Sequence, residues 1–257
     1  MESVDYAPAV LLHGFGDSPE CWSPLLAAVD DDVHVTTPAA PGHAHEQLPD
    51  GTALSLPYLT EVAALHVDAA AQRSGRPVVV GGHSMGAATA VAVAAAHPDL
   101  VAGLYLEDPP WSWPPSAEPD PSAASKTAEL AHWIAGLQGS SHEDRVQWCL
   151  DHNPGWPRDE YDIWARAKAE VDPAVFDRTI DFGRLAWQPM VLQVRCRATV
   201  LVGDWDRGST CMPQVADYLS DLPGWRVIRV PGTGHDVRRQ NRPAAIAAFV
   251  DALRAAA

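Results

Sequence analysis

The chain has 257 residues, enough for one large core or one core with a small insertion, and its 47% hydrophobic and 20% charged residues are those of an ordinary globular protein. A formal net charge of −15 repels nucleic acid and anionic membranes, which excludes both as expected partners and leaves a small-molecule substrate. No run of about 20 apolar residues is present to span a bilayer. The opening Met-Glu-Ser-Val-Asp-Tyr lacks the basic start and apolar run of a signal peptide, and the four cysteines show no metal-type spacing. The expectation is a cytoplasmic protein with reduced thiols.

Strand-length apolar runs alternate with helical stretches. Ala9–His13 reads as a short buried strand. Cys21–Val29 reads as a helix, with Ser18 at its N-cap and Pro19 in its first turn. A second strand spans Val33–Thr37. Leu59, Val62, Leu65 and Ala69 give Tyr58–Arg73 a helical period that ends near Gly75. The β-branched run Val78-Val79-Val80 marks a central strand in Pro77–Gly81. Met85–Ala96 is a helix of small apolar residues, and Val101–Leu106 is a fourth strand.

The rhythm breaks after Asp108. Prolines crowd 108–121, and tryptophan-rich helical fragments follow to 193. It resumes with a strand at Ala198–Val202, a helix near Met212–Leu219, a strand at Arg226–Val230 and a last helix near Arg242–Arg254. Unalternating apolar strands are buried on both faces, as in a parallel sheet covered by helices. The fold class is therefore α/β, a mostly parallel sheet of about six strands. The expected division is a core of 1–108 with 196–257, and a helical lid of 109–195 inserted after the strand ending near residue 106.

Gly82-His83-Ser84-Met85-Gly86 matches G-x-S-x-G and lies between a β-branched strand and a helix of small residues. Such a turn strains the serine backbone and excludes side chains two residues to either side. It lifts Oγ to the sheet edge and points helix N–H groups at developing charge. His13-Gly14-Phe15-Gly16 follows the first strand. The N–H groups of Phe15 and Met85 are the expected oxyanion donors.

A serine nucleophile needs a base. Among the eleven histidines, His235 in Pro231-Gly232-Thr233-Gly234-His235 follows the last strand, at the same sheet edge as Ser84. The imidazole in turn needs a carboxylate. Asp206, three residues past Gly203, is preferred; Asp108 at the end of the fourth strand is the rival, and Asp204 reads as a turn former. His43-Ala44-His45-Glu46 has no partners for a metal and reads as a solvated loop. Candidate substrate-binding residues are Trp111 and Trp113, just after Asp108, together with His83 beside the serine.

These motifs, HGFG at 13–16, GHSMG at 82–86, Gly203 to Asp206 and GTGH at 232–235, resemble the α/β-hydrolase superfamily in its Ser–Asp–His order. The likeness covers about 1–108 and 196–257. It implies Ser84, Asp206 and His235 as a triad, Phe15 and Met85 as oxyanion donors, and a lid in the inserted segment. Relatives that form alkyl-enzymes carry aspartate at the elbow, so Ser84 points to acyl chemistry. The superfamily's leading antiparallel strands are missing or very short here, and Pro41-Gly42-His43 departs from its usual loop after the second strand.

The expected activity is hydrolysis of an ester, lactone or thioester of a small to medium, partly apolar substrate, with no metal or organic cofactor. The same triad also serves carbon–carbon bond hydrolases and lyases, and the fold also serves non-catalytic ligand binders.

Overall fold

The computed structural model describes residues 6–29, 33–118 and 120–257. The first five residues and 30–32 of the expected core, and Pro119 of the expected insertion, lie outside that description. The elements are β1 (Ala9–Leu12), α1 (Ser23–Leu26), β2 (Val35–Thr36), α2 (Leu56–Ser74), β3 (Val78–His83), α3 (Met85–Ala96) and β4 (Val101–Glu107). After β4 come α4 (Ala123–Gln138), α5 (His142–His152), α6 (Arg158–Ala169) and α7 (Gln188–Val191). The chain returns to the sheet with β5 (Arg197–Val202), α8 (Pro213–Ser220), β6 (Trp225–Arg229), α9 (Val237–Gln240) and α10 (Arg242–Ala255).

Among the described residues the six strands form one sheet in the order β2-β1-β3-β4-β5-β6, and every pair is parallel. The expected α/β class is the fold found. Side chains alternate across the sheet with the period of two that a strand imposes. Val10, Leu12, Val78 and Val80 face α2, α3 and α8 through Val67, Val91 and Val215. Ala9, Leu11, Val79 and Tyr105 face α1 and α10 through Leu25, Phe249 and Leu253.

Strand order places the site. From β1 the chain first crosses to one side, to β2, and then to the other, to β3, so the loops after β1 and β3 open away from each other's crossovers. A crevice forms at such a switch point, beyond the strands' carboxyl ends. The 13–16 loop and the Ser84 turn flank it.

Several elements differ from expectation. The expected helix Cys21–Val29 is a 3₁₀ turn at Pro19–Trp22 followed by four α-helical residues, with Pro24 lacking an N–H at the junction. The second strand shrinks to two residues. The central strand runs on through two glycines to His83, where a Cβ at Gly81 would stand 2.4 Å from Leu11 Cδ2. Gly75 ends α2 at φ 69°, the left-handed cap its sequence position implied.

Between β4 and β5 the chain is helical. Leu137, Cys149, Trp156, Tyr161, Trp164 and Ala165 form a cluster within that segment. Ile134, Val171 and Val175 pack instead with Met85, Leu54 and Leu59, seating the segment beside the serine turn. Among the described residues, no helix is long and apolar enough to cross a membrane.

Candidate active site

Ser84 sits between β3 and α3 at φ 53° and ψ −115°, a conformation that non-glycine residues adopt at a cost of order 1–3 kcal/mol. Close backbone approach on both sides enforces it. A Cβ on Gly82 would lie 2.3 Å from the Gly86 backbone, and one on Gly86 would lie 2.1 Å from the Leu12 carbonyl oxygen. The glycines at both positions are thus steric requirements of the turn. The Ser84 N–H donates to the Glu107 carbonyl at 3.0 Å, which ties the turn to β4.

β4 ends in a second strained residue. Asp108 has φ 43°, and its N–H donates to the Leu201 carbonyl at 2.8 Å. This backbone turns a fully buried carboxylate toward the loop after β6. His235 Nδ1–H donates to Asp108 Oδ2 at 2.6 Å. The Thr210 N–H donates to the same oxygen at 2.7 Å, and Ser209 Oγ–H donates to Oδ1. Thr210 Oγ1 lies 3.1 Å from Oδ2 and 3.0 Å from His235 Nδ1.

The carboxylate beside His235 is therefore Asp108, and the assignment of Asp206 is corrected. Asp206 lies on the exposed 3₁₀ turn Trp205–Arg207, whereas the His235 imidazole bonds Asp108. That turn projects into solvent because Gly203 and Gly234 clamp its base. A Cβ on Gly203 would stand 2.2 Å from the Gly234 oxygen, and one on Gly234 would stand 2.1 Å from the Arg207 oxygen. Asp204 is structural. Its carboxylate accepts from the Gly232 N–H at 2.7 Å, and its own N–H donates to the Thr233 carbonyl at 2.7 Å.

Burial pushes the His235 pKa down, but the hydrogen bond and charge of Asp108 outweigh it, and the net shift is upward from 6.5. With Nδ1–H committed to Asp108, Nε2 is the nitrogen left to take a proton. His83 Nε2–H donates to the His235 carbonyl at 3.0 Å. Burial, then the neighbouring His235, holds the His83 pKa well below 6.5, so this ring is a neutral brace for the 235 backbone.

His13 fixes the loop after β1. Its Nδ1–H donates to the Gly14 carbonyl at 2.9 Å, and its Nε2 accepts from the Ala40 N–H at 3.0 Å. Gly14 must be glycine, because a Cβ there would meet His83 Nδ1 at 2.7 Å. Met85 opens α3, so its N–H has no intrahelical acceptor. His43, expected in a solvated loop, is fully buried, edge-on to both His13 and Phe15 at 5.3 Å. It packs against the loop after β1.

Ser84, His83, His235 and Phe15 line one cavity of about 660 Å³ together with Trp133, Trp164 and Phe182 of the helical segment. Trp111 and Trp113 are not among its walls, which corrects their assignment to substrate. Trp111 is fully buried and stacks on Trp187 at 5.6 Å, while Trp113 packs against Trp187 and Tyr218. Beyond Pro110, which lines the cavity, the chain is tied to the starts of α7 and α8: the Met212 N–H donates to the Trp111 carbonyl at 3.1 Å and Trp187 Nε1–H to the Ser112 carbonyl at 2.9 Å.

A buried ionic network reaches the cavity wall through Asp17, Asp236 and Arg239. Arg238 pairs with Asp17 at 3.2 Å and Glu107 at 3.0 Å. Arg239 pairs with Asp17 at 2.8 Å, Glu160 at 3.1 Å and Asp236 at 2.8 Å. Burial alone would raise the Asp17 pKa, but the charges of Arg239, Lys168 and Arg238 hold it well below the usual carboxylate range. Four segments are joined in this way: the loop after β1 through Asp17, the end of β4 through Glu107, α6 through Glu160, and α9 with Asp236 before it.

Sequence reading missed Ser209, Thr210 and this network. The adjacent hydroxyls two residues past Arg207 were the available signal for Asp108. Buried Arg238 and Arg239 gave none, since charged residues are almost never fully buried unless paired.

A model of the alpha/beta hydrolase family matches residues 9–249. Over 97 residues the chain is 37% identical to a pimeloyl-[acyl-carrier protein] methyl ester esterase of Aromatoleum aromaticum, covering 38% of this chain. The match spans about a third of that relative, 35% of its length. Solved structures of similar fold include an N-formylmaleamic acid deformylase of Pseudomonas putida, with TM-score 0.75 and 20% identity over 95% of this chain and 91% of that one. A thermophilic esterase of Thermogutta terrifontis is similar at TM-score 0.73 and 20% identity, over 98% and 91% of the two chains. At these identities the two structures establish likeness of fold.

Proposed function

The chain belongs to the alpha/beta hydrolase family, and from that premise we propose that it is a serine hydrolase using Ser84, His235 and Asp108. The observation that carries the reading is the 2.6 Å hydrogen bond from His235 to Asp108, at a cavity shared with a serine held at positive φ.

In the proposed reaction His235 Nε2 takes the Ser84 hydroxyl proton as Oγ attacks a carbonyl carbon. Asp108 fixes the tautomer and stabilises the imidazolium that forms. The N–H groups of Phe15 and Met85 receive the oxyanion, a role in which losing one donor typically costs about 10²–10³ in rate. His235 returns the proton to the departing alcohol or thiol. Water, activated by the same imidazole, then releases the acid and regenerates the serine. The substrate class is an ester, lactone or thioester with an apolar part, which the walls formed by Phe15, Trp133, Trp164 and Phe182 would accommodate. The partial relative named for methyl ester cleavage supports this bond type.

The test is labelling with a fluorophosphonate probe. The native protein should be labelled at Ser84, and Ser84→Ala should not. A folded native protein that resists the probe would point to ligand binding without catalysis.

A further inference from the structure

Resting on that reading, we propose that Lys168 is the subsite for an anionic group of the substrate, so that the preferred substrates are esters or thioesters bearing a free carboxylate. Lys168 projects from α6 and is 3% exposed, yet it lines the Ser84 cavity. Its ammonium donates to the Gly16 carbonyl and lies 4.7 Å from the centroid of the Trp164 ring and 5.7 Å from that of Trp133. An ammonium carries three donors, so one carbonyl leaves it under-satisfied.

Each of the other cations at the cavity has a direct carboxylate partner. Arg239 is held by Asp17, Glu160 and Asp236, and Lys126 and Arg184 share Asp120 at 3.1 and 3.2 Å. Asp17 has Oδ1 against Arg239 and Oδ2 against Arg238. Among the described residues no carboxylate forms an ion pair with Lys168. Lys168 lies within reach of the charge of Asp17, but both Asp17 oxygens are spent on arginines, and a buried cation without a direct ion pair gains from an anion that reaches it. In a chain of net charge −15 such a point can admit an anion only by local attraction, which makes it a selective feature rather than a general affinity for acids.

The experiment compares two p-nitrophenyl esters of similar length, the glutarate monoester and the pentanoate, on wild type, Lys168→Met and Lys168→Arg. Wild type should favour the glutarate monoester in kcat/KM, mainly through KM. Lys168→Met should lower the charged-to-neutral ratio about 10- to 100-fold, and Lys168→Arg should restore part of it. An unchanged ratio in Lys168→Met would overturn the proposal, since both esters then lose equally and the lysine merely braces Gly16. So would the absence of any preference in wild type, a result independent of whether the variants fold. The Ser84→Ala protein provides a separate arm: glutarate should raise its Tm and uncharged glutaramide should not, and equal effects would overturn the subsite. Turnover of both esters by Ser84→Ala would instead defeat the serine mechanism while leaving the charge preference measurable.

Discussion

Asp108 Oδ2 lies 2.6 Å from His235 Nδ1, although the two residues are 127 positions apart and belong to loops after β4 and β6. β5 separates those strands in the sheet, yet its following loop does not supply the carboxylate beside His235. It supplies Ser209 and Thr210, whose hydroxyls and N–H hold the Asp108 carboxylate in place.

The first prediction concerns pH. The proposed base must be neutral to accept a proton, and Asp108 raises its pKa above 6.5 despite burial. The acid limb of kcat/KM should therefore have its midpoint above 6.5, and Asp108→Asn should move it down. The same shift makes a stability statement. A raised folded-state value means the charged pair stabilises the fold fully below 6.5 and loses that contribution as pH climbs through the raised value. The Tm gap between wild type and Asp108→Asn should accordingly narrow from acidic to alkaline pH. A gap that widens would contradict the pairing.

The buried network should be costly to break. Arg238→Met removes the guanidinium that pairs with Glu107 and one oxygen of Asp17, and leaves both carboxylates buried. Loss of one partner of such a pair costs about 3–5 kcal/mol. Chemical denaturation should show a loss of that size. A loss under about 1 kcal/mol, the range of surface pairs, would mean that water reaches these groups.

Two glycines should respond in opposite directions. Gly86→Ala drives a Cβ to 2.1 Å from the Leu12 carbonyl, so stability should fall by about 1–3 kcal/mol, and fluorophosphonate labelling should fall as the turn shifts. Gly136 lies inside α4 with open space beside it, and Gly136→Ala should stabilise by about 0.5–1 kcal/mol. Matched melting curves of the two variants decide the point.

What could be read from the sequence follows from how local each signal is. The Ser84 turn is specified within five residues by its two glycines and by the strand and helix that flank it. His235 was legible because a parallel sheet places every strand's carboxyl end on one edge. The carboxylate partner of His235 was harder, since Asp108 and Asp206 follow neighbouring strands and reach the same edge. What separates them is backbone: a residue at φ 43° turns Asp108 inward, while the clamp of Gly203 against Gly234 sets Asp206 outside. Neither fact can be derived from residue types alone. Trp111 and Trp113 misled for a related reason, because nearness in sequence to Asp108 does not reveal that the chain folds back onto Trp187. Lys168 reads as an ordinary surface charge on a polar helix until Trp133 and Trp164 are seen enclosing it.

The most direct test is the kcat/KM of Asp108→Asn beside that of Asp206→Asn, on any ester that wild type hydrolyses. The relay through Asp108 predicts a fall of about 10⁴-fold in the first, the size seen when a triad histidine loses its carboxylate, and near wild-type turnover in the second. Full activity in Asp108→Asn, with the loss appearing in Asp206→Asn instead, would contradict it.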